Sequence, residues 1–162
     1  MDQTHIHLVI THLPIFGSIL GALVLVHGLW TKSIQTKIAA YNIFIISAIG
    51  AGIAYLTGEA AEESVEHLPS VFEATIESHK DFAIYALVSL ISLGVTSMTA
   101  IFLTLRKSTA TRTLGFVILL ISLVSFGLVA RTGFLGGQIR HSEIVKGATS
   151  PIDNTESEAD DE

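Results

Sequence analysis

This chain contains no cysteine, so histidine and glutamate are the side chains left to carry any chemistry. The lack of cysteine excludes disulfides, thiolate metal sites and cysteine nucleophiles together. Glu59, Glu62, Glu63 and Glu66 recur at spacings of three and four residues, so on a helix they form one acidic stripe. His67 follows Glu63 at the i, i+4 spacing, which lets one helix offer two metal ligands. A solvated acidic face is the simpler interpretation of the stripe alone.

Three histidines lie beside the ends of three different apolar segments. His12 lies just inside the first segment, His79 about one turn before the third, and His141 just after the fourth. Imidazole is a common ligand of zinc, copper, iron and haem. The sequence therefore predicts a metal centre of zinc, iron or copper with nitrogen and oxygen ligands. The predicted ligands are His12, His79, His141, Glu59, Glu62 and Glu63, with His7, His67 and Arg140 as further candidates.

Four long apolar segments must position these residues. They are Leu8–Trp30, Ile38–Leu56, Phe82–Leu105 and Leu114–Ile139, in a chain of 162 residues with 49% hydrophobic residues. Each is close to the roughly 20 residues that a helix needs to cross a bilayer. We expect an all-α protein, a four-helix transmembrane bundle running up-down-up-down with both termini on the same side. The first apolar run is too long for a cleavable signal peptide, so we expect it to remain attached.

Charge is divided between the two ends of this predicted bundle. The two short connections, TKSIQTK and RKSTATR, contain five basic residues and no acid, whereas all 15 Asp and Glu lie at the other end. The positive-inside rule then places the short connections in the cytoplasm and both termini outside. We expect a multi-pass protein of the bacterial cytoplasmic (inner) membrane, with the lipid bilayer as its main partner.

The stretch Gly58–Asp81 between the second and third spans is the most polar part of the chain before its end. It holds six glutamates and two histidines, and its spacing predicts a helical acidic extension of the spans. The last residues, SPIDNTESEADDE, have no apolar run and predict a disordered acidic tail. We therefore expect a membrane domain over residues 1–147 and a tail over 148–162.

Glycines form stripes on the first and fourth spans. Gly17, Gly21 and Gly28 share one face of the first span, and Gly133 and Gly137 are four apart on the fourth. Such small residues allow helices to approach closely in membranes. Packing within the bundle is the preferred interpretation of both stripes.

The segment HLVITHLP resembles the opening of a prokaryotic family of four-helix integral membrane proteins of unknown function. In that family the first span begins HPxxVHFPIAL, and here His7, His12 and Pro14 match its pattern, while Leu8 replaces its proline and Thr11 its valine. The later segments YLTGEAAEE, IESHKD and GGQIRHSEI are similar to a subgroup of the same family. The resemblance implies the fold and topology and brings no activity. It directs attention to His7, His12, Glu59, Glu62, His79, Arg140 and His141.

Three classes of function remain open from the sequence. The first is a His/Glu metal centre at the outward face, which could be structural, a metal relay, or a catalytic site with an open position and a nearby glutamate as base. The second is a b-type cytochrome, with two histidines from different spans as axial ligands of haem b and Arg131 or Arg140 pairing the propionates. The third is a noncatalytic membrane subunit or pH-responsive scaffold that acts with other membrane or periplasmic subunits. Nucleic-acid binding is disfavoured, because the basic patches are just two short loops and acidic residues dominate elsewhere.

Overall fold

The computed structural model describes residues 3–66 and 73–140, and every described element is an α-helix. The helices are α1 (Gln3–Ile10), α2 (His12–Trp30), α3 (Ile34–Glu66), α4 (Glu73–Leu105) and α5 (Thr111–Arg140). α1 and α2 are separated only at Thr11. Pro14 has no N–H to offer the carbonyl of Ile10, which explains an interruption one turn before it. The two helices together form one span.

The helices form a ring in which each packs on its neighbours along the chain and α5 closes against α2. α1 packs chiefly on α3, whereas the diagonal pair α3 and α5 hardly touches. Because the short connections join α2 to α3 and α4 to α5, α1, the end of α3, the start of α4 and the end of α5 share one end of the bundle. We call this the acidic end and the other the loop end. The expected up-down-up-down bundle is confirmed.

Four helices are long and apolar enough to cross a membrane, over His5–Trp30, Ile34–Ala60, Ala74–Leu105 and Thr111–Gln138. Their outward surface is apolar as well. Phe16, Leu20, Val88 and Leu120 are each more than half exposed. In the hydrocarbon of a membrane, exposure of such side chains costs no free energy. The chain is a multi-pass membrane protein.

Glycines determine how closely α2 and α3 approach each other. A Cβ added at Gly17 would collide with the hydroxyl of Ser47, and one at Gly21 would lie 2.5 Å from the ring of Phe44. At the loop end, a Cβ at Gly28 would lie 3.0 Å from the Lys37 side chain. The predicted glycine stripe of the first span is therefore used for packing inside the bundle.

The centre of the bundle combines large apolar side chains with serines. Leu25, Phe44, Leu90, Leu93 and Ile118 are fully buried and form the apolar core. Five serines are also fully buried at this level: Ser18, Ser47, Ser97, Ser122 and Ser125. Three of them donate to carbonyls of their own helices, as Ser47 does to Ile43 at 2.8 Å. The hydroxyls of Ser97 and Ser125 have no hydrogen-bond partner.

The helical acidic extension is also confirmed. α3 continues beyond its apolar part to Glu66, and α4 begins at Glu73 within the acidic stretch. Glu59, Glu62, Glu63 and Glu66 are therefore on one continuous helix. The boundary at residue 147 and the acidic tail lie outside the described residues, so both stay predictions.

Candidate cofactor site

A cavity of about 810 Å³ lies at the acidic end, and all five helices contribute to its wall. Much of this wall is made of small or apolar residues, including Ala51, Ala54, Ala83, Gly133 and Gly137. The volume is within the roughly 300–1,000 Å³ typical of sites for small molecules and cofactors. The polar residues of the wall are His7, Thr11, His12, Tyr55, Glu59, His79, Lys80 and Thr132.

His7 is held against α3 by a bond from its ring to the backbone. Its Nδ1 donates to the carbonyl oxygen of Ala54 at 2.9 Å, with the hydroxyl oxygen of Thr57 at 3.3 Å from the same nitrogen. One turn after Ala54 is Gly58, where a Cβ would lie 3.5 Å from Cε1 of His7. The glycine thus gives the imidazole edge room to lie against the backbone of α3.

His79 repeats this arrangement between α4 and α5. Its Nδ1 donates to the carbonyl oxygen of Thr132 at 3.0 Å. One turn after Thr132 is Gly136, where a Cβ would lie 3.2 Å from Cε1 of His79. Each histidine is therefore tied to a carbonyl of the next span along the chain, and a glycine lies four residues beyond that carbonyl beside its ring.

The repetition extends over both halves of the described chain. The histidine and its carbonyl partner are 47 residues apart in the first hairpin (3–66) and 53 apart in the second (73–140). The spacing between the histidine and its acceptor thus differs between the two hairpins by less than two helical turns. Both start at the acidic end, which corresponds to a parallel internal repeat about an axis along the membrane normal. His7 and His79 thus line the same cavity, one from each hairpin.

The backbone bonds also determine which ring nitrogen carries the proton. A carbonyl oxygen only accepts, so Nδ1 must be the protonated nitrogen in both His7 and His79. In the neutral ring the lone pair is then on Nε2. A backbone carbonyl on the other nitrogen is the usual support of a histidine that binds a metal, because it orients the ring and increases its basicity.

His12 lines the same cavity but is held differently. Its Nδ1 donates to the carbonyl oxygen of Leu8 on the preceding turn at 2.8 Å, and its ring stacks on Phe16 at a centroid distance of 6.3 Å. His12 is exposed, whereas His7 and His79 are half-buried. It has no histidine counterpart in the second hairpin. The predicted use of His12 stays a prediction, but the paired geometry belongs to His7 and His79.

The other predicted ligands fall into two groups. Glu59 is exposed and lines the cavity, Glu62 and Glu63 belong to α3, and Arg140 ends α5. His67 and His141 lie outside the described residues. Within residues 3–66 and 73–140, no group of three or more histidine and carboxylate side chains could hold a metal ion. The described part of the cavity thus brings together His12, His79 and Glu59 without forming a three-ligand centre.

Arg131 was a candidate partner of haem propionates. It is exposed and is not part of the cavity wall. Its guanidinium lies 5.6 Å from the ring centroid of Phe82 and 5.5 Å from that of Phe134. Cation–π contact with two aromatic rings explains how this charge is accommodated on the outer surface of α4 and α5.

Sequence reasoning placed His7 among secondary candidates and missed its equivalence to His79. The signal that could have revealed it is the internal repeat, because both short connections contain the pattern K-S-x-x-T-K/R, at 32–37 and 107–112. When the two halves are aligned on this pattern, the sequence positions of His7 and His79 differ by less than one helical turn. Comparison of the chain with protein-family models, with curated proteins and with solved structures finds no match.

Proposed function

We propose that this membrane protein is a b-type cytochrome that binds one haem in the cavity at the acidic end, with His7 and His79 as the axial ligands. The observation that carries the proposal is the duplicated support of the two imidazoles. Each is tied through Nδ1 to a backbone carbonyl of the adjacent helix, and each faces the shared cavity from its own hairpin. Haem bound in this way supplies reversible one-electron transfer.

The residues of the cavity suit a flat, largely apolar macrocycle. Glycines and alanines leave flat helix surfaces, and within residues 3–66 and 73–140 no atom lies within 4 Å of the Cβ position of Gly137. The half-buried Leu87 and the buried Leu90 and Val129 close the cavity toward the core. These apolar side chains would exclude water from the ring. Bundles commonly hold cofactors between facing helices in this way.

The protein itself contributes to the chemistry by positioning the Nε2 lone pairs of His7 and His79. Donation from Nδ1 to Ala54 and Thr132 places the lone pair of each neutral ring on Nε2 and limits rotation of each ring. Because the acceptors are backbone atoms within helices, the two rings are positioned before any ligand enters. Such preorganisation reduces the entropy that binding would otherwise cost.

A second candidate is a mononuclear metal centre at the same place. It is favoured by Glu59, which lines the cavity together with His12 and His79. Mixed imidazole and carboxylate ligands would suit zinc, iron or copper. The ligand set would be completed by a further residue of the predicted set, which includes Glu62, Glu63 and His141. In both proposals the cavity holds a transition metal, and they differ in whether a porphyrin accompanies it.

The proposed location is the bacterial cytoplasmic membrane, with the acidic end and both termini on the outer side. The uneven distribution of charge supports this orientation, because all five basic residues of the short connections lie at the loop end. The haem would then exchange electrons near the outer face. Redox partners among other membrane or periplasmic subunits follow from this location.

Absorption spectra of the purified protein before and after reduction, together with metal analysis, distinguish these proposals. The haem proposal predicts a Soret band that shifts on reduction and one iron per chain. Variants His7→Ala and His79→Ala should each lose the low-spin spectrum, whereas His12→Ala should keep it. Stoichiometric metal without a Soret band would support the second candidate instead. A protein that contains neither, after expression with added haem and metals, would refute both.

A further inference from the structure

A second cavity lies at the loop end of the bundle, at the opposite end from His7 and His79. It encloses about 340 Å³ between the two short connections. Its wall contains three lysines and three hydroxyl-bearing residues with a single aliphatic one: Lys32, Lys37, Lys107, Thr104, Ser108, Thr111 and Ile34. We propose that this cavity binds the phosphate of an anionic phospholipid in the adjacent leaflet.

The parts of the helices that build this cavity contain no carboxylate to compensate its positive charge. Residues 3–58 and 82–142 contain no aspartate or glutamate, so no carboxylate of these segments can neutralise the three lysines. Ammonium groups close together repel each other unless an anion lies between them. Basic pockets between transmembrane helices are typical sites for phospholipid headgroups.

Both connections contribute to the cavity through the same sequence pattern. In K-S-x-x-T-K/R, the first lysine is Lys32 or Lys107, with backbone φ of 56° and 54°. A positive φ is uncommon for a residue with a side chain and is usually given to glycine at this position after a helix. After α4, the backbone N–H of Lys107 donates to the carbonyl of Thr104, and the backbone N–H of Ser108 donates to that of Leu103, both at 3.0 Å. Two lysines thus occupy backbone positions where glycine would be easier, and both side chains line the cavity.

The surroundings of the cavity favour a lipid over a free ion. Ile34 belongs to the cavity wall and is 52% exposed, so the cavity is continuous with the apolar outer surface. Trp30 is 82% exposed near the same end, and Leu105 is 70% exposed. Tryptophan is typical of the membrane interface. A diacyl phospholipid could place its phosphate among the lysines and its chains along these apolar side chains.

The inference is tested by measuring retained lipid and thermal unfolding in nanodiscs. The protein is reconstituted in phosphatidylcholine alone or with one fifth phosphatidylglycerol, and bound lipid is counted by native mass spectrometry. The test variant is Lys37→Gln with Lys107→Gln. The control is Arg106→Gln with Arg112→Gln, which removes the same total charge but takes both charges from the second connection, 106–112. Neither arginine lines the cavity, and Arg106 lies 5.1 Å from the Phe102 ring centroid.

We expect the wild-type protein and the arginine variant to retain phosphatidylglycerol and to unfold at a higher temperature in its presence. The lysine variant should retain roughly 25-fold less and lose the stabilisation, because each of its two lysines near the surface contributes about a fivefold factor. Equal losses in the two variants would indicate general surface charge and overturn the inference. Equal stabilisation of the wild type by inorganic phosphate in phosphatidylcholine would also overturn it, because the site would then need no lipid. A lysine variant that fails to fold is replaced by Lys37→Arg with Lys107→Arg, which should keep selective retention.

Discussion

At the scale of single residues, the candidate site depends on two imidazoles and the small side chains beside them. His7 and His79 each have a carbonyl at hydrogen-bonding distance and a glycine four residues after that carbonyl in the same helix. The sequence identifies histidines as candidates but does not show which carbonyl lies opposite. His12 was the more prominent prediction because it lies inside an apolar span. Its Nδ1 is satisfied within its own helix, which the residue pattern alone does not reveal.

The two glycines beside the histidines should respond differently to a methyl group. At Gly136 the added Cβ would lie 3.2 Å from Cε1 of His79, so the ring has to move, whereas at Gly58 the distance to His7 is an ordinary 3.5 Å. We expect Gly136→Ala to weaken haem binding about tenfold, as is typical when the support of a metal ligand is disturbed. Gly58→Ala should bind nearly as the wild type does. Haem titration followed by absorbance measures both, and equal affinities would contradict the proposed contact.

The unpaired hydroxyls in the core allow a test of stability. Ser97 and Ser125 are fully buried, and neither hydroxyl has a partner. A buried hydroxyl without a hydrogen bond costs about 1 kcal/mol or more, so Ser97→Ala or Ser125→Ala should raise the free energy of unfolding by about that amount. Ser122→Ala is the matched control, because its hydroxyl donates to Leu119 at 2.7 Å. Thermal unfolding in one detergent compares the three variants.

A marked loss of stability in Ser97→Ala or Ser125→Ala would contradict the assignment. It would mean that the hydroxyl has a partner, such as a buried water.

At the scale of elements, helix length and type followed from composition, whereas helix contacts did not. Four apolar runs of span length predict four helices, and the structure extends them to bounds such as Ile34–Glu66. The acidic extension was also predictable, because the glutamates recur at helical spacing. The order of the helices around the ring, and the pairing of α1 with α3, depend on shape. Small residues such as Gly17 and Gly21 indicate a contact face without naming its partner.

Close packing of α2 on α3 should fail when Gly17 is enlarged. A Cβ there would collide with the hydroxyl of the fully buried Ser47. We expect Gly17→Ala to lower the free energy of unfolding by about 1–3 kcal/mol, the usual cost of overpacking. Gly127→Ala is the control, because nothing lies within 4 Å of its Cβ position.

The swap Gly17→Ala with Ser47→Gly should recover most of the loss, since it returns the space to the same contact. Thermal unfolding measures all three variants. A Gly17→Ala protein as stable as Gly127→Ala would contradict the packing described for this contact.

At the scale of the whole molecule, two similar hairpins carry opposite chemistry at their two ends. The acidic end contains the histidine cavity, and the loop end contains the lysine cavity. The separation of charge was apparent from the sequence because the two short connections contain five basic residues and no acid. The duplication was not, because its halves share only short patterns and differ in helix length. Its consequence is that one cavity receives an equivalent histidine from each half.

The orientation in the membrane is tested with reporter fusions. We expect a fusion after Lys37 to report the cytoplasm and one at the C-terminus to report the outer side, because the basic connections remain inside. Alkaline phosphatase and green fluorescent protein, which are active on opposite sides, serve as reciprocal controls. The same side for both fusion points would contradict the four-span topology. Opposite sides in the reverse sense would move the histidine cavity to the cytoplasmic face.

The identity of the two axial ligands is the central claim, and low-temperature electron paramagnetic resonance of the oxidised protein tests it most directly. We predict a low-spin bis-imidazole signal in the wild type and in His12→Ala. The signal should disappear in His7→Ala and in His79→Ala, and added imidazole should restore it to each by filling the vacated position. A bis-imidazole signal that persists without His7 or His79, or that is lost with His12, would contradict the account.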